Sequence, residues 1–226
     1  QPAGYLERDR LARQWRRGAG RRVWVVTAGA GYGKTTFLAS RARACEKGCL
    51  WYSVDELDHD PSVFLSHLGA VLGISEPAAA RASLDLGEPR VLQGMLAAIA
   101  HGLHGETSPE MIVLDDLHLL PEHSRTLRFL DRLIRYVPPD CRVVLASREP
   151  VGIATGRLQS QGTVARLNAR DLAFREKELQ ELFAMRFPGE RLSPSLARRI
   201  LARTEGWAAG LEVLLQALEG TSSEAV

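Results

Sequence analysis

Residues 23–36 read V-W-V-V-T-A-G-A-G-Y-G-K-T-T, and this stretch decides the architecture. Val23, Trp24, Val25 and Val26 form a short apolar run of strand-favouring residues. The run breaks at once into Ala28, Gly29, Ala30, Gly31, Tyr32, Gly33, Lys34, Thr35 and Thr36. A buried strand, a glycine-rich turn and a helix start are the setting a phosphate-binding loop requires. Glycines let successive backbone N–H groups curl around an anion with no Cβ in the way. A lysine in the place of Lys34 reaches β- and γ-phosphates, and a hydroxyl in the place of Thr35 completes a magnesium shell. The helix that follows adds the positive end of its dipole. The strict motif has glycine where Ala28 stands; Gly33-Lys34-Thr35 carries most of the mechanism and is intact.

Working outward, two more apolar runs end in polar residues. Met111-Ile112-Val113-Leu114-Asp115-Asp116 reads as a buried parallel strand whose C-terminal tip carries two carboxylates. Paired with the upstream loop, Asp115 is the expected magnesium ligand, and Asp116 orients or activates the attacking water. His118 reads as a helix-start or core histidine. Cys141 to Arg148 is a third strand, and Arg148 at its tip stands where a γ-phosphate sensor would help.

Between these landmarks lie helical stretches. Phe37 to Glu46 follows the loop, and Pro61 opens a helix with Phe64, Leu65 and Leu68 on its apolar side. Ser75 to Pro89 reads as a surface connection, Val91 to Leu103 as a helix, and Leu127 to Val137 as another that Pro138 and Pro139 stop. Cys49 to Val54 reads as a strand. The carboxylates of Asp55, Glu56, Asp58 and Asp60, just before Pro61, suit helix capping better than a metal site. Upstream of the loop, Leu6, Leu11 and Trp15 recur at helical spacing, with the neighbouring arginines expected in solvent.

Thr163 to Asn168 reads as a last short strand. From Asp171 to Glu219 no strand-like run remains, and the pattern predicts helices broken at 187–190 and at Glu205-Gly206, with Ser193 and Pro194 as a helix start. The predicted class is therefore α/β: a phosphate-loop nucleotide-binding domain over 1–168, with a parallel sheet of about five strands and helices on both faces, then a small all-helical lid over 169–226.

Composition narrows the function classes. The chain has 226 residues, 45% of them hydrophobic, so a sizeable core is available. A net charge of +2 does not argue for nucleic-acid binding. No stretch approaches a membrane span or a signal peptide, and the three cysteines fit buried thiols in a reducing cytoplasm. A start at Gln1 and a polar tail after an apolar helix suggest a segment of something longer.

Five stretches together carry a family resemblance: A-G-A-G-Y-G-K-T-T at 28–36, W-Y-S-V-D-E-L-D-H-D-P at 51–61, I-V-L-D-D-L-H at 112–118, L-A-S-R at 145–148 and T-E-G-W-A-A-G-L at 204–211. In this order the chain resembles the signal-transduction ATPases with numerous domains, an AAA-like group. Within them it is most similar to the ATPase module of the large LuxR-type, maltose-regulon-activator-like transcription regulators. The resemblance implies a switch that binds ATP or ADP with magnesium, closed with ADP, open and self-associating with ATP. It implies a Walker pair at Lys34 and Thr35, Walker B carboxylates at Asp115 and Asp116, and a sensor at Arg148. Leu6-Glu7-Arg8 loosely matches an element that frames the adenine in related ATPases, with Leu6 in place of valine. The family's usual lid proline falls on Ala208, which would contact the base in its place, and the proline often found at the Gly29 position is also missing. DNA binding, which the full-length family proteins perform through a helix-turn-helix, would belong to other domains. Two alternatives from other classes stay open: a stand-alone enzyme (an ATPase or small-molecule kinase), and the regulatory module of a kinase or cyclase. A binding scaffold without hydrolysis is disfavoured by the intact Asp115-Asp116 pair.

Overall fold

A computed structural model describes residues 5–71, 89–103, 108–153 and 162–223. The expected connection at 75–89 lies almost wholly outside the described residues. By compactness the chain divides into two units, one of Gln1–Ala19, Ala28–Lys34 and Asn168–Val226, the other of Gly20–Thr27 and Thr35–Leu167.

The larger unit is built on a five-stranded sheet. Its strands are β1 (Val23–Thr27), β2 (Cys49–Ser53), β3 (Met111–Asp115), β4 (Arg142–Ser147) and β5 (Val164–Asn168), in the order β2-β3-β4-β1-β5. The ladders β1–β4, β3–β4 and β2–β3 are parallel. Their registers pair Thr27 with Ser147 and Ser53 with Asp115, so four strand ends share one edge. Ligands of open α/β sheets bind at that edge. β4 lies between β1 and β3, so the strand carrying Asp115 is one place removed from the strand that feeds the glycine loop.

The pleat explains why these strands read as continuous apolar runs. Val23, Val25, Ile112, Leu114, Val143 and Leu145 face one core with the helices α3 (Pro61–Val71), α4 (Pro89–Leu103) and α5 (Arg125–Tyr136). Their alternates Trp24, Val26, Met111, Val113, Val144 and Ala146 are also buried. A sheet covered on both faces needs apolar residues at every position, not at every second one. In the core, Phe64 meets Tyr52 edge-on at 5.4 Å and Phe129 at 6.4 Å. Ser124 caps α5 by accepting from the Leu127 N–H at 3.1 Å, and Val137-Pro138 ends it.

In the segment between β2 and α3 the side chains of Asp55 and Asp58 act as caps, of a 3₁₀ turn rather than of α3. Asp55 accepts from the Leu57 N–H at 2.7 Å and Asp58 from the Asp55 N–H at 2.9 Å, a reciprocal box around a 3₁₀ turn at Glu56–His59. Asp55, Asp58 and His67 bring ligand atoms within 4.8 Å of one another. Both Asp58 oxygens are already engaged, however, by the Tyr52 hydroxyl and the Asp55 amide.

The second unit contains helix α1 (Asp9–Arg17) and the helices α6 (Ala169–Leu172), α7 (Glu176–Arg186), α8 (Pro194–Thr204) and α9 (Ala208–Ser223). Leu179, Leu182, Phe183, Phe187, Leu192, Ala197, Leu211 and Leu215 form its core, with Leu6 and Phe174 packed against it. Ser193 caps α8 and Pro194 opens it, as the sequence predicts. The break after α8 needs two left-handed residues, Glu205 at φ 51° and Gly206 at φ 72°. A Cβ on Gly206 would stand 2.5 Å from the Phe174 carbonyl oxygen, so only glycine fits.

The arginines before the loop depart from the expectation of solvated side chains. Arg13, Arg16 and Arg17 are exposed, but Arg8 and Arg10 turn inward. Arg8 donates to the Leu172 carbonyl. Arg10 donates to the carbonyls of Asp171, at 2.7 Å, and Ala173, at 3.0 Å, and pairs with Glu178 at 3.1 Å. Two guanidiniums thus satisfy three successive carbonyls at the C-terminal end of α6, where the helix leaves them without partners.

Candidate functional site

The glycine loop belongs to the helical unit. Gly31 and Gly33 adopt left-handed φ values of 73° and 78°. Left-handed glycines alternating with other residues turn consecutive N–H groups to one side, as a concave anion nest requires. Lys34 is buried, and its ammonium donates to the Ala28 carbonyl at 2.6 Å and the Gly29 carbonyl at 3.2 Å. Those bonds hold the amine back along its own loop and keep a buried cation satisfied.

The start of the last helix lies directly on this loop. The Trp207 indole N–H donates to the Ala30 carbonyl at 2.8 Å, and the Ala209 N–H to the Gly31 carbonyl at 2.9 Å. A Cβ on Gly31 would come within 2.7 Å of both Ala209 Cβ and Trp207 Nε1. A Cβ on Gly33 would lie 3.8 Å from an Arg8 guanidinium nitrogen and 3.9 Å from Ala208 Cβ. Loop, Arg8 and Ala208 are therefore neighbours. Arg8 is buried over the Phe174 ring, 4.6 Å from its centroid. Burial lowers its pKa from the ordinary arginine value, with Glu178 opposing the shift.

In the sheet unit the hydroxyl of Thr35, in the first turn of helix α2 (Lys34–Ala42), donates to Asp115 Oδ2 at 3.0 Å, across 80 residues of sequence. Asp115 is buried at the end of β3, and its other oxygen accepts from the Asp116 N–H at 3.0 Å. A hydroxyl and a carboxylate in contact at the head of a helix match the donor set of a hard, oxygen-seeking cation. Asp116 takes a left-handed φ of 58°, uncommon for a residue with a side chain, and its carboxylate is 39% exposed. His118 Nδ1 stands 3.8 Å from Asp116 Oδ1, a proximity that sequence periodicity does not reveal. Arg148 is exposed one residue beyond Ser147. Tyr32 is half-buried and Thr36 exposed.

Comparison with known proteins decides the family. Over 224 residues the chain is 31% identical to the HTH-type transcriptional regulator MalT of Serratia proteamaculans, covering 96% of this chain and 24% of that protein. Over 214 residues it is 29% identical to MalT of Yersinia enterocolitica, covering 92% of this chain and 23% of that protein. The chain is a STAND-class P-loop ATPase domain. It is homologous to the corresponding part of the MalT-like LuxR-family regulators, and it spans about a quarter of the length of those curated relatives. No family model matches it.

Solved structures agree on the fold. A STAND protein with a tetratricopeptide-repeat sensor from Pyrococcus horikoshii superposes with a TM-score of 0.55 at 18% identity, covering 93% of this chain and 30% of that one. The Aeropyrum pernix ORC1 protein, solved in complex with DNA, gives 0.59 at 19% identity, covering 97% of this chain and 62% of that one. These likenesses are of fold: an α/β sheet of about five strands flanked by helices, with a helical region. This fold class is typical of P-loop proteins that bind ATP and magnesium. Among the described residues, no helix is long and apolar enough to cross a membrane.

Proposed function

We propose that the chain is the ATP/ADP-binding switch module of a multidomain bacterial transcription regulator, with slow or coupled ATP hydrolysis. The observation that carries this reading is the Thr35–Asp115 pair, a hydroxyl on a buried carboxylate at the first turn after a glycine loop. In this reading residues 1–168 form the nucleotide-binding domain and 169–226 its helical lid. The amides of Gly31, Tyr32, Gly33 and Lys34 and the flanking Gly29, Ala30 and Thr36 cradle the phosphates. Arg8 and Ala208 frame the base.

The residues present suit magnesium and a triphosphate. Lys34 leaves the Ala28 and Gly29 carbonyls for the phosphate oxygens, exchanging two neutral acceptors for charged ones. Thr35 and Asp115 hold magnesium, which when bound would neutralise charge on the β- and γ-phosphates. Asp116 orients the attacking water and accepts its proton, held in place by its left-handed backbone. Arg148 senses the γ-phosphate. The ATP-loaded module self-associates in the cytoplasm, and DNA is reached only through other domains of the full-length protein.

Lys34→Ala tests the assignment by calorimetric titration with magnesium-ATP. Loss of about tenfold or more in affinity, with the fold retained, is expected from removal of a charge-assisted contact. Unchanged affinity would remove the loop from the account.

A further inference from the structure

We propose that Trp207 is a positioning residue for the phosphate-binding loop: its indole N–H and the Ala209 amide hold the Ala30 and Gly31 carbonyls, and thereby aim the Gly31 and Tyr32 amides at the bound phosphate. The inference rests on the nucleotide reading above and deepens it.

The argument is one of peptide geometry. No cis peptide bond occurs among the described residues, and in a planar trans peptide the C=O of one residue and the N–H of the next point in opposite directions. Fixing the Ala30 carbonyl on the indole therefore fixes the Gly31 N–H on the side away from Trp207. Fixing the Gly31 carbonyl on the Ala209 amide does the same for the Tyr32 N–H. These two amides lie in the glycine-rich stretch that the nucleotide reading assigns to phosphate. The lid residues touch no phosphate in this scheme; they act through the loop backbone.

The fit around the indole is close on both sides. A Cβ on Gly31 would stand 2.7 Å from Nε1 and 3.0 Å from Cε2 of Trp207. A Cβ on Gly210, in the first turn of α9, would stand 2.7 Å from Cε3. The ring thus occupies a slot between two glycines, one in the loop and one in the lid. Such a slot fixes the plane of the ring and so the direction of its N–H. The residue is nevertheless 41% exposed, so burial of apolar area alone does not account for a tryptophan here.

The coupling runs in both directions. If lid contact favours phosphate binding, phosphate binding must favour lid contact by the same factor. A closed lid and an occupied loop are then one state, and release of Trp207 from Ala30 is a step in opening.

Trp207→Phe keeps a ring in the slot and removes only the N–H. Titrations of the wild type and the variant with magnesium-ATP, magnesium-ADP and adenosine should show about a tenfold loss for both nucleotides, with adenosine unaffected. In the wild type, hydrogen exchange at the Trp207 indole N–H, followed by NMR, should slow on addition of magnesium-ADP. Wild-type nucleotide affinity in the variant, an equal loss for adenosine, or indole exchange indifferent to nucleotide would overturn the proposal. Failure of the wild type to bind either nucleotide would instead overturn the nucleotide reading itself, and the role of Trp207 with it.

Discussion

The Tyr52 hydroxyl donates to Asp58 Oδ1 at 2.7 Å, and this carboxylate is wholly buried between β2 and α3. Asp58 Oδ2 accepts from the Asp55 N–H, while its main-chain carbonyl accepts from the Thr126 hydroxyl at 3.0 Å. One aspartate therefore ties the end of β2, the 3₁₀ turn and the start of α5 together. Burial and Asp58 raise the Tyr52 phenol above its ordinary range. Asp58→Ala strands the buried Tyr52 hydroxyl and the partly buried Asp55 N–H and should cost about 3 kcal/mol. The melting temperature should then fall by about 6–12 °C. Asp58→Asn should cost less, because the tyrosine hydroxyl can turn to accept from the amide while the amide oxygen stays on Asp55. Thermal melts of the two variants check the order.

The Thr35–Asp115 contact yields a prediction about the cation. Thr35→Ala should weaken the magnesium-dependent part of ATP affinity about tenfold, and Thr35→Ser should restore it, because only the hydroxyl is required. Titrations with and without magnesium separate the two contributions. Equal affinities of the alanine and serine variants would move the cation elsewhere.

Gly206 gives a test of the lid turn. Its φ of 72° and the 2.5 Å approach of a would-be Cβ to the Phe174 carbonyl make Gly206→Ala unfavourable twice over. A loss of at least about 2 kcal/mol in stability is expected from the backbone strain and the clash. Denaturant unfolding measures it. Gly48→Ala serves as a comparison: its φ of 86° carries the strain, but nothing stands within 4 Å of the new methyl.

The cysteines predict a decline in stability at alkaline pH. Burial pushes the thiols of Cys49 and Cys141 up to about 12, from 9.0. Below pH 9 both states hold these protons, and the thiols add no pH dependence. Above it the unfolded chain loses them first, so unfolding releases protons and stability falls as pH rises through the window from 9 to about 12. Denaturation midpoints across that window should fall more steeply for the wild type than for Cys49→Ala. At neutral pH both thiols should alkylate slowly unless the chain is unfolded.

The features visible in the sequence were those with local causes. The apolar run ending at Thr27, the glycine loop, and the runs ending at Asp115 and Ser147 announce strand tips because a strand buried on both faces must be apolar throughout. Ser193-Pro194 marks a helix start because capping and proline geometry act within one turn. Arg10 and Trp207 were not legible as loop and lid contacts, and Arg8 was legible only through the family resemblance. Arg10 meets Asp171 across 161 residues and Trp207 meets Ala30 across 177, and nothing in a local pattern announces such partners. The one signal available was a tryptophan set between Gly206 and Gly210, where small residues allow close approach. The direction of Asp116 was hidden for a similar reason: its left-handed backbone is set by the turn after β3, not by its own preference.

The most direct test is a calorimetric titration of the chain with magnesium-ADP and magnesium-ATP, followed by phosphate release from the same sample. The account predicts saturable binding of both nucleotides with negligible steady-state turnover, as a switch module requires. Rapid turnover would contradict it and identify a self-sufficient enzyme; absence of binding to either nucleotide would contradict the site itself.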